Sequence, residues 1–189
     1  MGVPESLLTV MREPSAAAVW ELRGDLLGRG LAPASKAFEL LAEFHRFLER
    51  LATGAASRGH SERASMMEVG SLSGVVAADL AEAADAGEWA RRMLSAAVTE
   101  GLAVLATRQH VRAWRGELAS VFREAAWYLY GELWRWACRR KPDLEAGERR
   151  RLLDQLVTPI RADDVDGRQK TAIVCSLFLL LLVDCLAEE

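Results

Sequence analysis

The chain has 189 residues, of which 51% are hydrophobic and 27% charged, and its formal net charge is −3. This length and balance describe a single globular domain, residues 1–189, with enough apolar material for a core, and they exclude a disordered chain. The slight acidity gives no whole-molecule field that would draw in nucleic acid.

Ala, Leu, Glu and Arg dominate, all good helix formers. None of the five prolines lies between Pro33 and Pro142. Both features predict an all-α bundle of six or seven helices. A short helix is expected over Glu5 to Arg12. Pro14-Ser15 starts the next, with Val19, Trp20, Leu26 and Leu27 as its apolar side, and Gly28 and Gly30 end it. Pro33 opens a third helix that Gly54 closes. Ala37, Leu41, Phe44, Leu48 and Leu51 form one stripe along it at alternating four- and three-residue steps.

Residues 54–64 read as a loop, and Ser65 with Glu68 fits a capping box. The helix from Met66 to Ala86 carries Gly70, Ser73, Gly74, Ala77, Ala78, Ala81 and Ala84 on a face of small side chains, which suits close approach of another helix or a frayed start. Gly87 separates it from a long proline-free stretch that should divide near Arg108 to Arg115. Beyond the division, Leu118, Phe122, Ala125, Leu129, Leu133 and Trp136 share one side, while Trp127, Tyr130, Trp134 and Cys138 share another. Two apolar faces imply neighbours on both sides or a patch that a partner covers. Pro142-Asp143 restarts the chain, and the following helix should stop at about Val157, where Thr158-Pro159 breaks it.

The final segment holds thirteen uncharged residues from Thr171 to Val183, then Asp184, Cys185, Leu186 and Ala187. A membrane span needs about 20 apolar residues to cross about 30 Å. Thirteen residues reach roughly 20 Å, and Asp184 would burden any extension. The segment is therefore expected to be a buried helix, apolar all round, at the centre of the bundle, and membrane insertion is not expected. Asp163, Asp164 and Asp166 stand where acids cap a helix start and oppose its dipole. No signal peptide is expected, because the first residues lack a basic region followed by an apolar core.

Cys138, Cys175 and Cys185 form no C-x-x-C pair, and an odd number with apolar neighbours suggests buried thiols in a reducing, cytoplasmic setting.

Catalytic signatures are absent. The sequence holds no G-x-S-x-G, P-loop, G-x-G-x-x-G or H-E-x-x-H. His45 lies within a helix beside Phe44, and His60 lies in a loop beside Ser61 and Glu62, an adjacency that is not a triad. No cofactor is expected. Three alternatives for function remain. Glu39 and Glu43 on one helix with Glu82 and Asp85 on another could hold Mg²⁺, which prefers oxygen ligands. All-helical nucleotide pyrophosphohydrolases use E-x-x-E followed by E-x-x-D in this way. Glu82-Ala-Ala-Asp85 matches the second half, while Glu39 and Glu43 depart from the first. A basic segment, Arg135, Arg139, Arg140, Lys141, Arg149, Arg150 and Arg151, is interleaved with Trp134 and Trp136 and could grip nucleic acid, as in a small helical subunit of an RNA-guided effector. The leading expectation is a non-enzymatic interaction or assembly module. Its contact residues would be Trp127, Tyr130 and Trp134, and its simplest partner a second copy in a homodimer.

Overall fold

The computed structural model describes residues 4–56, 117–163, 165 and 167–188. Among these residues the protein is entirely helical: α1 Glu5–Arg12, α2 Ala16–Gly28, α3 Lys36–Ala56, α4 Glu117–Arg140, α5 Ala146–Arg161 and α6 Gly167–Glu188. The expected capping box at Ser65, the small-faced helix of residues 66–86 and the division near residues 108–115 lie outside the described residues, as do His60, His110, Glu82, Asp85, Asp164 and Asp166.

Local chemistry sets both ends of α2 and the start of α5. The Ser15 hydroxyl accepts from the Ala18 N–H at 3.1 Å, so a side chain satisfies one of the free donors at the start of α2. At the other end the N–H of Leu31 reaches back to the Leu26 carbonyl at 3.0 Å. Gly30 adopts φ +88°, which closes this turn and which an L side chain would resist. At α5 the Glu148 carboxylate accepts from the Glu145 N–H at 3.1 Å. Two ends differ from expectation. Helix α3 runs through Gly54 to Ala56. Helix α5 runs through Pro159 to Arg161, with the Ala162 N–H closing on the Thr158 carbonyl at 3.0 Å. Proline lacks a backbone donor and its ring crowds the preceding turn, and burial of Pro159 and Ile160 offsets that cost in the last turn of the helix.

Packing follows the apolar stripes. Helix α2 packs on α1 and α3, α4 on α3 and α5, and α6 on α3, α4 and α5. All five residues of the expected α3 stripe are buried, and so are all six on the expected core side of α4. In α6, burial is continuous from Thr171 to Cys185 except at Ser176. By length and composition α6 is a candidate membrane span, but 78% of its most apolar window is buried inside the protein. The apolar run is thus a packing element. Phe178 is its hub: the ring stacks on Phe44 at 4.9 Å between centroids and on Tyr128 at 5.9 Å, with Phe47 at 6.4 Å.

In α2 the expected apolar side is corrected. Ala18, Val19, Leu22 and Leu26 are buried, while Trp20 and Leu27 face outward. Ala18, Leu22 and Leu26, four apart, set the buried side, and Trp20 and Leu27 fall outside that stripe.

The cysteines divide by burial. Cys175 and Cys185 are buried and Cys138 is exposed. Burial, reinforced by the neighbouring Asp184, pushes the Cys185 thiol up to about 11. Iodoacetamide at neutral pH should therefore modify Cys138 alone in the native protein and all three in denaturant. Peptide mass mapping reads this directly, and native labelling of Cys175 or Cys185 at the Cys138 rate would contradict the packing.

Candidate functional site

The outer face of α4 meets α5 along a row of aromatic and arginine side chains. Trp127 is 69% exposed. The Arg161 guanidinium lies 5.3 Å from its ring and 5.8 Å from that of Tyr130. One α5 turn holds Arg161 in place, and that turn exists because the helix continues past Pro159. At the other end of α5, Arg149 lies 5.6 Å from the Trp134 ring and donates to the Leu144 carbonyl at 2.9 Å. Trp134 and Arg149 thereby tie the α4–α5 connection together. Trp134 and Tyr130 are half-buried against the core. Of the three expected contact residues, Trp127 presents by far the most free surface.

The basic segment is divided by the fold. Arg135 pairs with Glu132. Arg140 Nε donates to Asp184 Oδ1 at 2.7 Å, Arg140 Nη2 meets Glu188 at 3.0 Å, and Arg139 Nη2 lies 3.6 Å from Asp184 Oδ2. These ion pairs fasten the end of α4 to the end of α6. Lys141, Arg150 and Arg151 are exposed and have no ion pair among the described residues.

Of the expected Mg²⁺ ligands, only Glu39 and Glu43 are described. Glu39 accepts from Lys36 Nζ at 2.7 Å, and Glu43 accepts from Arg46 Nη1 at 2.6 Å. Lys36 also reaches the buried Glu132 at 2.9 Å. Burial works against the Lys36 ammonium, but its hydrogen bonds to Glu132 and Glu39 outweigh that and hold its pKa above the ordinary lysine value. The hydrogen bond from Lys36 holds Glu39 below the usual carboxylate range. Both acids serve ion pairs on the α3 surface, and the described residues contain no group of three or more potential His, Cys, Asp or Glu ligands.

The chain matches no protein-family model, no curated protein and no solved structure. Function has to be read from the surface itself.

A second exposed aromatic escaped the sequence reading. Trp20 is 59% exposed, with the Arg23 guanidinium 4.9 Å from its ring and the His45 ring 5.7 Å away. His45 Nδ1 in turn lies 3.5 Å from Glu49. These groups line a groove of about 330 Å³ between α2 and α3. The sequence signal was the helical phase of Ala18, Leu22 and Leu26, which leaves position 20 off the buried side.

Proposed function

We propose that the protein is a non-enzymatic contact module that assembles through the α4–α5 face, with a second copy of itself as partner. The observation that carries this reading is the exposure of Trp127 beside Arg161. A large aromatic side chain left 69% in water forgoes most of its burial energy unless something covers it. Trp, Tyr and Arg are the residues that dominate interface energetics, and Trp127, Tyr130 and Arg161 combine all three in one row. The row is self-complementary under a two-fold axis, since a tryptophan of one copy can meet an arginine of the other. We assign the protein to the cytoplasm, a reading supported by three cysteines that are all free thiols.

The nucleic-acid reading has less support, because acids within the chain engage Arg135, Arg139 and Arg140.

Sedimentation equilibrium tests the assembly. The wild-type chain should populate a dimer. Trp127→Ala should weaken self-association by about 30-fold, the equivalent of a hot-spot loss of about 2 kcal/mol. A monomeric wild type, or a Trp127→Ala dimer as tight as wild type, would sink the proposal.

A further inference from the structure

Between α2 and α3, side chains follow one another in a row: Phe38, Arg23, Trp20, His45 and Glu49. The Arg23 guanidinium lies 5.6 Å from the Phe38 ring and 4.9 Å from that of Trp20. The Trp20 and His45 rings are 5.7 Å apart and inclined at 52°, and His45 Nδ1 lies 3.5 Å from Glu49. The free cation and the acid are thus separated by two aromatic rings. Val19 and Leu41, each 1% exposed, line the groove as an apolar floor, and the short side chain of the exposed Ala42 leaves that floor open. The groove of about 330 Å³ is built from α2 and α3 alone, and every residue of their connection is described.

Arg23 differs from the arginines around it. Arg29 pairs with Asp25 at 3.0 Å, Arg46 with Glu43 at 2.6 Å, and Arg50 with Glu124. Arg23 has no acid among the described residues, and aromatic rings hold it instead. Contact with ring faces orients a guanidinium without neutralising it, so its charge and its N–H fork still call for an acceptor. A single exposed aromatic is ordinary surface. Here an indole left 59% exposed, a second ring across the groove and an unpaired guanidinium stand together over an apolar floor. A few convergent polar groups on an apolar and aromatic lining are what a small-molecule site uses.

We propose that this groove binds a small planar aromatic carboxylate, its ring against Trp20 and its carboxylate on the N–H fork of Arg23. One guanidinium matches one carboxylate bidentately, so a single free arginine selects a single acid group. The volume lies at the small end of ligand sites, which suits one or two fused rings. Arg46 at the rim is already neutralised by Glu43 and adds little. Glu49, beyond the His45 ring, opposes an anion at that end and so favours the Arg23 end for the carboxylate. The site goes beyond the contact reading and shares no helix with the α4–α5 row.

The test is calorimetric titration of the full chain with naphthoate at neutral pH and fixed ionic strength. Wild type should bind saturably and one-to-one. Cyclohexanecarboxylate, which keeps the charge and loses the aromatic ring, should bind far more weakly, and so should naphthylmethylamine, which keeps the rings and reverses the charge. Arg23→Gln should weaken naphthoate binding by about tenfold or more, the loss of a charge-assisted hydrogen-bonded pair. Trp20→Ala should do the same by removing the stacking wall. Ala42→Leu should do so by filling the groove from an exposed helical position where the fold tolerates the change, with circular dichroism as the check on folding. Trp127→Ala/Arg161→Gln alters the other exposed tryptophan–arginine pair and should leave binding unchanged. No saturable heat, a control ligand as tight as naphthoate, or an equal loss in the Trp127→Ala/Arg161→Gln variant would each overturn the proposal. A wild type that is monomeric yet binds naphthoate would remove the contact reading and leave this one standing.

Discussion

Phe178→Ala should destabilise the protein by about 3–5 kcal/mol, the range for deleting a fully buried phenylalanine. Phe178 is 2% exposed, and its ring touches side chains from both α3 and α4. Deleting it removes apolar area and leaves a cavity that three helices border and none can collapse into alone. The stacked pairs with Phe44 and Tyr128 add roughly 0.5–1.5 kcal/mol each beyond area burial, so the upper part of the range is expected. In a chain of this size that loss lowers the melting temperature by about 6–20 °C. Thermal and urea unfolding followed by circular dichroism would measure it. A loss under about 1 kcal/mol would mean that the stack is not formed. Ending the chain at Gly167 is the extreme case, since it removes the helix on which α3, α4 and α5 all pack, and no cooperative transition should remain.

The second large effect should come from Arg139→Ala/Arg140→Ala. Asp184 is 4% exposed, flanked by the buried Val183 and Cys185, and these two arginines are its ion-pair partners among the described residues. Removing both guanidinium groups strands a carboxylate in apolar surroundings, which costs about 3–5 kcal/mol. Either single variant should cost clearly less, because the remaining arginine can still reach the acid. Adding Asp184→Asn to the double variant should recover most of the loss, since the charge that needed a partner is gone. Urea midpoints for the wild type and these four variants would decide the matter. A triple variant no more stable than the double would show that lost packing by the arginine stems, and not the buried charge, was responsible.

Much of the fold was legible because local pattern and tertiary environment agree. The stripe from Ala37 to Leu51 states which side of α3 is buried, and the row from Leu118 to Trp136 does the same for α4. The uncharged run of α6 is too short for a comfortable span and has no polar side, so burial among other helices was the remaining option. What escaped depends on partners far along the chain. Arg139 and Arg140 read as part of a basic segment because Asp184 and Glu188 are remote in sequence. Glu132 looked like any surface acid, yet Lys36 reaches it from α3 and it is 6% exposed. Pro159 read as a break because proline lacks a donor, and only the burial around Ile160 explains why the helix continues. The candidate site was half legible. Trp127 was expected as a contact residue from its position opposite the core side. Arg161 could not be grouped with it in advance, because it belongs to a different helix.

The position of α6 also bears on how the chain acquires its structure. Contacts of α1 with α2, α2 with α3, and α4 with α5 join consecutive described helices, so each pair can form early and alone. Helix α6 packs on α3, α4 and α5 together, and its seat exists only once those helices have come together. Its docking is then the event that makes folding cooperative. Any species caught before that step carries an unbroken leucine-rich strip in water, the kind of surface through which folding intermediates aggregate. Refolding yield should thus depend on protein concentration far more than the stability of the finished bundle does.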